Sequence, residues 1–506
     1  MECPAGVKPI TGRFVLTLKR NPDGTIDRYK ARYVARGFTQ RPGQDFTATY
    51  SPVLDFPCLR IILAIAAALG WTVETADVKT AYLYGELDHE IYMELPYGME
   101  APGNLAHAVV RLERNLYGLK QGGRMWFLRY AKEQSAVGLK THQTNPSLFY
   151  ATLEAGPVIA GNYVDDSIHA GEKEAVRQVK RDLGKAFEIK DLGAISQVIG
   201  LQVVRFKAGI FVHQIGFITN FLDKCGIKGS RKTTTPLQIR NTTVPSSDIY
   251  GPPLKGEEPY EDPEMYRRVS GALQWISTTL RPDISFAVSL TARYTNCPVQ
   301  RHWRAVLHIL RYLEYTKDLG LFYPASATKD IRIATFADAG YLSDRVTGRS
   351  QTGFVVLLNG TAIAWKSRKQ TIAATSTTYA ELIAAYEAAR ETFWLSHVYN
   401  NIRSEIHLPE QGPIPLYEDN NACASLIQSG LIVTEATKHI EPKFHWVHEQ
   451  VEAGVIAIKR VDSGDNPADL LTKTLPEQQH WAHCNRIGLR RFSELEHLPR
   501  WDQGEA

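Results

Sequence analysis

The sequence predicts a chain of several packed domains that mix helices and strands, with an α/β unit in its last third. Three observations carry this prediction. The chain has 506 residues, which is too long for one ordinary domain and suggests two to four. Its residues are 44% hydrophobic and 22% charged, a balance that excludes wholesale disorder. Residues 245–263 are rich in Pro, Gly, Ser and acids without periodicity, which is typical of a linker.

Composition also narrows the class of protein. The 58 Lys and Arg residues against 54 Asp and Glu give a net charge of +4, which identifies no partner. The six cysteines form no CxxC pair, which argues against a zinc site or a disulfide framework and fits a reducing compartment. No run of about 18 apolar residues is present, and no basic and apolar leader follows Met1. We therefore expect an intracellular protein that is neither secreted nor membrane-spanning.

The first forty residues predict a basic β-hairpin. Nine basic residues stand between positions 8 and 41 against two acids, and residues 21–24 (NPDG) form a strong turn signal. In the second strand Lys30, Arg32 and Arg36 alternate with other residues, so a strand through them points three cations to one face. A solvated edge strand, which basic residues protect from pairing, is the alternative.

The next elements are predicted from the spacing of apolar residues and from Pro and Gly at element ends. Residues 57–69 predict a helix with Pro57 at its first position, Gly70 just past its end and one buried apolar stripe. A strand is expected at residues 72–78, and a tight hairpin at residues 158–170 carries two acids near its tip. An amphipathic helix follows this hairpin.

The C-terminal half repeats this alternation of helices and strands. Asn359-Gly360 is the best short hairpin signal in the chain. The other expected elements are helices at 266–279, 300–315, 377–398 and from 420, and strands at 331–338 and 414–417.

A first set of carboxylates consists of Asp77, at the end of a predicted strand, with Asp165 and Asp166 at the hairpin tip. Adjacent acids in a tight turn repel each other, so a bound cation would explain them. Three carboxylates suit Mg²⁺, which shares its other positions with phosphates and water. Two such ions about 4 Å apart can activate a 3′-hydroxyl and stabilise a leaving pyrophosphate. The alternative is a solvated turn.

The surroundings of these acids resemble the reverse transcriptase of copia-type long-terminal-repeat retrotransposons. The matching segments are YKARYVARGFTQ (29–40), SPV (51–53), DVKTAY (77–82), LYGLKQ (116–121), YVDD (163–166) and KDLG (190–193). The resemblance implies an α+β right-hand polymerase fold with fingers, palm and thumb, in which Asp77, Asp165 and Asp166 are the palm carboxylates that hold two Mg²⁺ ions, with Mn²⁺ as a possible substitute.

The same resemblance implies substrate-binding roles. Tyr82 packs under the incoming sugar and screens against a 2′-hydroxyl, and a plain core aromatic is its alternative. Gln121 lies near the incoming nucleotide. Lys30, Arg32 and Arg36 face the triphosphate, and which of them contacts phosphate stays open.

One departure from the family follows Gln121. The family continues with Ser-Pro-Arg-x-Trp, whereas this chain has Gly122 and Gly123 before Arg124. Because glycine adds backbone freedom, we expect a looser loop here and weaker activity.

A second set of carboxylates, Asp338, Glu381, Asp419 and Asp469, lies at predicted element ends. Each has an ordinary structural alternative. Glu381 could belong to a capping box with Thr378, and Asp469 could complement the dipole of a helix capped by Asn466.

Together these four acids resemble the ribonuclease H that follows the polymerase in the same family. The matching segments are TFADA (335–339), SQTG (350–353), AELIA (380–384), DN (419–420), TKHI (437–440) and NPADLLTK (466–473). The resemblance implies an α/β ribonuclease H-like domain with a mixed sheet, in which the four acids hold two Mg²⁺ ions and a water attacks the RNA of an RNA–DNA hybrid.

This segment also departs from the family. Gly340 and Tyr379 stand where acids are common, which leaves support of the metal ligands in question. His439 and His445 are interpreted as structural or loop residues rather than catalytic ones.

Two further segments match the family's thumb and connection, YRRVSGAL (266–273) and TLRPDI (279–284). They make six arginines candidate phosphate contacts, which position a duplex without reading its sequence. These are Arg267, Arg268, Arg281, Arg301, Arg304 and Arg311.

The sequence thus predicts fingers and palm over residues 1–244, a linker over 245–263, thumb and connection over 264–328 and the nuclease over 329–500. The predicted function is RNA-directed DNA polymerisation with ribonuclease H activity. Its partners are the RNA template, the DNA primer, dNTPs, the hybrid and other retrotransposon polyprotein products.

We expect the protein to work in a cytoplasmic virus-like particle with access to the nucleus. We also expect the chain to be a fragment, since no gag, protease or integrase region precedes the fingers. A decayed or domesticated fragment that binds nucleic acid without catalysis is the alternative, and a chain that keeps only nuclease activity is a third.

Overall fold

The computed structural model describes residues 1–20, 25–101, 105, 107–238, 249–344, 346–430 and 441–501. The predicted turn at 21–24, the start of the predicted linker at 245–248 and the predicted motif at 437–440 with His439 lie outside this range. Among the described helices, none combines the length and the apolar character that crossing a membrane requires.

The elements are numbered in chain order. The strands are β1 (Gly12–Arg20), β2 (Ile26–Ala35), β3 (Thr72–Val78), β4 (Tyr92–Glu94), β5 (Val109–Arg111), β6 (Lys140–Thr141), β7 (Leu148–Leu153), β8 (Gly156–Tyr163), β9 (Asp166–Gly171), β10 (Ile189–Ala194), β11 (Gln197–Val198), β12 (Leu201–Phe206), β13 (Gly209–His213), β14 (Leu319–Pro324), β15 (Ile333–Asp344), β16 (Arg349–Leu358), β17 (Thr361–Lys369), β18 (Ile414–Glu418), β19 (Ile456–Arg460) and β20 (Leu489–Arg491). The helices are α1 (Phe56–Leu69), α2 (Gly122–Ala136), α3 (Lys173–Ala186), α4 (Ile215–Lys224), α5 (Pro263–Thr279), α6 (Ser285–Ala292), α7 (Gln300–Tyr315), α8 (Thr377–Glu405), α9 (Asn421–Ser429), α10 (Glu441–Glu452), α11 (Glu477–Arg486) and α12 (Phe492–Leu495).

By packing, the chain divides into two compact units. Unit 1 comprises Met1–Leu54 and Glu74–Ala194, and unit 2 comprises Asp55–Val73 and Ile195–Ala506. The boundaries expected from sequence follow motif order rather than packing, and they stay predictions.

Unit 1 is built on a six-stranded sheet in the order β10-β3-β9-β8-β7-β6. Helices α2 and α3 bury apolar side chains in its core, among them Trp126, Tyr130 and Val176. The β8–β9 hairpin turns through Val164, whose φ of 62° is left-handed, and the Trp126 indole donates to the Val164 carbonyl at 2.6 Å. This anchored turn fixes the two aspartates that follow it.

The basic hairpin is present as β1 paired with β2. Lys30 lies opposite Thr17 and Arg32 opposite Val15, so these two cations share a face as predicted. Strand β2 ends at Ala35, and Arg36 lies beyond it with φ −89° and ψ 80°. The prediction of a strand through Arg36 is therefore wrong by one residue.

Helix α1 ends where the sequence predicts and begins one residue earlier, at Phe56, so Pro57 is its second residue. Asp55 caps it by accepting from the Cys58 amide at 2.8 Å, and Gly70 closes it at φ 66°. The prediction that only one stripe of α1 is buried is wrong, because residues 58–68 are all buried. Even Arg60 is enclosed, and its guanidinium donates to the carbonyls of Ile363 and Thr278, each at 2.8 Å.

Unit 2 contains the helices α5, α6 and α7 and two five-stranded sheets. One sheet has the order β11-β12-β13-β14-β20. The other has the order β17-β16-β15-β18-β19, in which β15 pairs antiparallel with β16 and parallel with β18. The predicted mixed sheet is therefore confirmed, and Asn359 and Gly360 make the β16–β17 turn with φ of 49° and 80°. Helix α8 packs on β15 and β16.

Two of the six arginines predicted as phosphate contacts are buried. Arg281 is fully enclosed and donates to both carboxylate oxygens of Asp283, at 2.8 and 2.6 Å. Arg301 pairs with Glu257 at 2.7 Å. The prediction is wrong for these two, because their charges are already neutralised inside the fold. The four exposed members of the set are Arg267, Arg268, Arg304 and Arg311.

Substituting Arg281 by methionine is expected to destabilise the protein by about 3–5 kcal/mol, because it leaves the buried Asp283 carboxylate without its counter-ion. Tyr312 still donates to Asp283 at 2.6 Å, but a hydroxyl does not neutralise the charge. Chemical denaturation measures the change in the free energy of unfolding. Arg311→Met is the matched control on an exposed position, and equal stability of the two variants would contradict the prediction.

Candidate active sites

The three acids predicted for the polymerase site lie at one edge of the unit 1 sheet. Asp77 is the penultimate residue of β3, and Asp165 and Asp166 lie at the β8–β9 turn. The amide of Val78 donates to the carbonyl of Asp165 at 3.0 Å, which fixes the turn beside the end of β3. The structure therefore brings together the three acids that the sequence predicts.

The charge of this edge fits a divalent cation. Burial, then Asp165 and Asp77, raises the pKa of the Asp166 carboxyl above its ordinary value. Three carboxylates that repel one another in this way gain when a cation neutralises them. Oxygen ligands of this kind suit Mg²⁺ and Mn²⁺.

Aromatic rings and cations stand beside these acids. The Tyr82 and Tyr117 rings have centroids 4.7 Å apart, and the Arg32 guanidinium lies 5.3 Å from the Tyr117 centroid. Burial and then Asp165 raise the pKa of Tyr82. Burial, Arg32 and other cations lower the pKa of Lys30, and Asp77 opposes them. Tyr82 and Lys30 are therefore close enough to the acids to interact with them electrostatically, and Arg32 lies against the ring that packs on Tyr82.

Gln121 is enclosed by hydrogen-bonded neighbours at the start of α2. Its side chain is fully buried. Its amide donates to the Asp45 carbonyl at 2.8 Å, and its oxygen accepts from the Gln40 amide at 3.0 Å. Gln40 in turn accepts from the Lys120 backbone amide at 2.7 Å. Both ends of the Gln121 amide are therefore engaged within the fold, and the expectation that Gln121 lies near the incoming nucleotide stays a prediction.

The two glycines of the family departure do not form a loose loop. Gly122 and Gly123 open helix α2, with Gln121 as its N-terminal flanking residue. A Cβ at Gly122 would lie 3.1 Å from Tyr82 Cδ1, so glycine here leaves room for the ring. The Asn115 amide donates to the carbonyls of Gly122 and Tyr82, each at 2.8 Å, and ties the helix start to Tyr82. The expected loosening is therefore not what the structure shows.

Gly123→Pro is expected to raise the free energy of unfolding by about 0.5–1 kcal/mol, because proline fits the first helical turn and restricts the unfolded chain. The new side chain has to displace Ser51 Oγ, 3.1 Å from the Cβ position, by a few tenths of an ångström. Urea unfolding measures the effect. Gly123→Ala introduces the same contact without the ring, so a loss of stability in both variants would show that Ser51 does not give way.

The four acids predicted for the nuclease meet in unit 2. Asp338 lies in β15, Glu381 in the first turns of α8, Asp419 directly after β18, and Asp469 in the short 3-10 helix Pro467–Leu471. Carboxylate oxygens of Asp338, Glu381 and Asp419 all lie within 4.8 Å of one another. In the described part of the chain this is the one such grouping of acids, histidines and cysteines, so the polymerase acids are more widely spaced.

Local contacts exclude the capping box as an alternative for Glu381, whereas Asp469 does lie in the first turn of a short helix capped by Asn466. The N-cap of α8 is Ser376, which accepts from the Tyr379 amide at 3.1 Å, so Glu381 takes no part in a capping box. Asn466 does cap its helix, accepting from the Ala468 amide at 3.1 Å. Its own amide donates to the Ala337 carbonyl at 2.7 Å, which holds the Asp469 segment against β15. The cap therefore serves to bring Asp469 beside Asp338.

The nuclease acids are buried together and repel one another. Burial, then Asp338, Glu418 and Asp419, raises the pKa of Glu381 to about 11. The Glu381 Oε2 atom is buried and has no hydrogen-bond partner among the described residues. Burial and then Asp338 raise the pKa of Asp469 to about 7. A convergent set of buried, mutually repelling carboxylates with an orphaned oxygen fits divalent metal binding.

Two residues at this site were not among the predicted site residues. Glu418 is fully buried next to Asp419, and burial raises its pKa well above the usual range. The inward face of β18 carries every second residue, so strand periodicity points Glu418 inwards. Lys473 contacts two of the acids and belongs to the motif that carries Asp469, four residues earlier.

The departures at Gly340 and Tyr379 have local explanations. A Cβ at Gly340 would lie 2.9 Å from the Thr472 carbonyl, so a larger residue there requires the motif after Asp469 to shift. Tyr379 is buried in the first turn of α8. Both positions therefore serve packing in this chain.

The protein without metal is expected to lose stability as the pH rises from about 4 to about 7. The raised pKa of Asp469, about 7, means that the folded state binds its proton more tightly than the unfolded state, where Asp titrates near 4. This contribution is complete below about pH 4 and is lost as the pH passes about 7. Thermal unfolding in EDTA measures it, and Mg²⁺ should restore stability at high pH. Asp469→Asn should make the loss between about pH 4 and about pH 7 smaller without removing it, because the raised pKa of Glu381 contributes a loss of the same sign. A flat wild-type profile in EDTA would contradict the prediction.

Comparison with known proteins shows which proteins the chain resembles. A model of the family "Reverse transcriptase (RNA-dependent DNA polymerase)" matches residues 1–239. The chain is 34% identical over 483 residues to the Retrovirus-related Pol polyprotein from transposon TNT 1-94 of Nicotiana tabacum, covering 95% of this chain and 35% of that protein. It is 29% identical over 489 residues to the corresponding polyprotein from transposon RE1 of Arabidopsis thaliana, covering 96% and 32%.

The chain is similar to the Pol polyproteins of copia-type retrotransposons over nearly its whole length. It spans about a third of the length of these curated Pol relatives. Among solved structures, the foamy viral protease-reverse transcriptase in complex with ds DNA aligns over 92% of this chain and 66% of that one, with 12% identity and a TM-score of 0.46. The similarity to Pol polyproteins and the two acidic sites are the observations from which a function can be proposed.

Proposed function

We propose that this chain is an RNA-directed DNA polymerase with an attached ribonuclease H. The observation that carries the proposal is that each of two separate sets of motif acids converges at one place in its own unit. The family model that matches residues 1–239 supports the polymerase. The proposed domains are fingers and palm at 1–244, thumb and connection at 264–328 and nuclease at 329–500.

At the polymerase site, Asp77, Asp165 and Asp166 would hold two divalent ions. Such ions activate an attacking 3′-hydroxyl and stabilise the leaving pyrophosphate when bound. Lys30 and Arg32 lie on the same face of the hairpin and would bind the triphosphate of a dNTP, with Arg36 just outside the strand as a third cation. Tyr82 would pack against the sugar.

At the nuclease site, Asp338, Glu381, Asp419 and Asp469 would hold the ions. The substrate would be an RNA–DNA hybrid, and its RNA strand would be hydrolysed. Selectivity for RNA would rest on the 2′-hydroxyl and on groove shape. The exposed arginines Arg267, Arg268, Arg304 and Arg311 would bind the phosphates of the duplex without reading its sequence.

The setting of this activity is also a proposal. The relatives are named Pol polyproteins of transposons, which supports an RNA template from such an element and other Pol products as partners. A virus-like particle in the cytoplasm is the expected place of synthesis.

Primer extension on an RNA template with Mg²⁺ tests the polymerase. The wild type should incorporate dNTPs, and Asp165→Asn/Asp166→Asn should not, although both bind the hybrid. If the two proteins incorporate nucleotides equally poorly while both bind hybrid, the chain is a non-catalytic binding protein. Cleavage of a labelled hybrid by the wild type and by Glu381→Gln tests the nuclease separately.

A further inference from the structure

A lysine ammonium group lies between two of the nuclease acids. Lys473 Nζ is 2.9 Å from Asp338 Oδ1 and 2.8 Å from Asp469 Oδ1. The second oxygen of Asp338 accepts from the Thr472 hydroxyl. Both carboxylate oxygens of Asp338 are therefore already engaged, one of them by a full positive charge.

The rest of the site is different. Asp338, Glu381 and Asp419 converge within 4.8 Å, and the Glu381 Oε2 atom in this group has no partner among the described residues. Asp419 is only half-buried, and the one side-chain group that donates to it among the described residues is the neutral Ser463 hydroxyl, so this side of the site is open to solvent and holds no cation of the protein. The acids thus form an open half, comprising Asp338, Glu381 and Asp419, and a closed half, comprising Asp338 and Asp469 with Lys473 between them.

We propose that Lys473 is a resident cation of the closed half, which a second divalent ion must displace, so that the two metal positions of the nuclease fill in order. The open half binds the first ion, and Lys473 has to leave before Asp338 and Asp469 bind another. This inference rests on the proposed nuclease function and names a residue that controls its metal loading.

Electrostatic repulsion gives the physical reason for this order. An ammonium group and a divalent cation that share the same carboxylate oxygens repel each other at short distance. Lys473 Nζ lies between Asp338 Oδ1 and Asp469 Oδ1, so another cation can bind both carboxylates only after the ammonium group has moved.

The side chain of Lys473 can leave the site without a change in the backbone. Its side chain is 39% exposed, whereas those of Asp338 and Asp469 are 1% and 5% exposed. Its backbone amide donates to the Asp469 carbonyl at 3.0 Å, so the main chain stays in place while the flexible side chain swings outwards. A nucleic acid phosphate arriving at the open face would offer the displaced ammonium a new partner, which links the second ion to the presence of substrate.

Calorimetric titration with Mn²⁺ in the absence of nucleic acid tests this order. The full chain carrying Asp165→Asn/Asp166→Asn is the parent, because this change weakens ion binding at the polymerase acids. We expect the parent to bind one Mn²⁺ at the nuclease. The variant Lys473→Met in that background should bind a second Mn²⁺ at least tenfold more tightly than the parent does.

Three controls keep the result interpretable. Lys473→Arg retains the charge and should still bind one ion, which shows that charge rather than length matters. Lys369→Met removes another lysine paired with a buried aspartate, Asp344 at 2.7 Å, and should leave Mn²⁺ binding unchanged. Circular dichroism confirms that each variant is folded.

Two outcomes would overturn the proposal in different ways. If Lys473→Met binds Mn²⁺ with the number and affinity of the parent, Lys473 does not control loading, and the proposed nuclease function is untouched. If neither the parent nor Lys473→Met binds Mn²⁺ more than an Asp338→Asn variant does, the metal site itself is absent, and the proposed nuclease fails with the inference.

Discussion

Replacing Asp338 by asparagine is expected to lower hybrid cleavage on the order of 10³-fold while primer extension is unchanged. Asp338 belongs to both halves of the nuclease site, since it converges with Glu381 and Asp419 and also shares Lys473 with Asp469. An amide keeps the shape of the side chain but supplies no negative charge for a divalent ion. Cleavage of a labelled hybrid and extension of a primer, measured on the same preparation, give the two rates.

Controls for this substitution come from the same region of the chain. Asp330→Asn changes an exposed acid that pairs with Arg332 at 2.8 Å, just before β15, and should leave cleavage at the wild-type rate. Asp419→Asn removes a less buried member of the site and should also abolish cleavage, which guards against a folding defect in Asp338→Asn. Cleavage by Asp338→Asn at more than a tenth of the wild-type rate would place the reaction elsewhere.

Tyr82→Ala is expected to raise ribonucleotide incorporation relative to deoxyribonucleotide incorporation on the order of a hundredfold. The Tyr82 ring lies against Tyr117, with centroids 4.7 Å apart, and the Asn115 amide holds its backbone carbonyl at 2.8 Å. A ring fixed in this way can exclude a 2′-hydroxyl by overlap, and alanine removes the overlap. Single-nucleotide extension with dNTPs and with NTPs measures the ratio.

Tyr82→Phe is the matched control for the ring. It removes only the hydroxyl and should keep the wild-type preference for dNTPs. If Tyr82→Ala also keeps that preference, the ring is a core aromatic and the sugar is screened by another residue.

The motif acids could be predicted from sequence because the chemistry requires carboxylates in a fixed context. Asp77 with Asp165 and Asp166, and Asp338 with Glu381, could be named without knowledge of packing. The predicted strand end at Asp338 is wrong, because β15 continues to Asp344 and Asp338 lies in its middle. The hairpin at Asn359 and Gly360 was equally predictable, because both residues need positive φ in that turn.

Burial was not predictable in the same way, because it depends on residues far away in the chain. Arg281 and Arg311 look alike in the sequence, yet Arg281 is enclosed by Asp283 and Thr316 while Arg311 faces solvent. Gln121 matched its motif, but its burial depends on Gln40, eighty-one residues away. The helix or strand propensity of a segment does not reveal which distant residues will bury it.

The C-terminal strand β20 has a consequence for how this chain is assembled. It pairs with β14, with Leu489 opposite Leu321, although the entire mixed sheet of the nuclease lies between them in sequence. The chain therefore leaves for the nuclease and returns from it on adjacent strands, which are about 5 Å apart. A segment with neighbouring entry and exit points has the geometry of an inserted cassette. Exchanging the segment that holds the mixed sheet, in evolution or in the laboratory, would need two chain junctions on one sheet and a replacement that preserves its packing against α1 and α6.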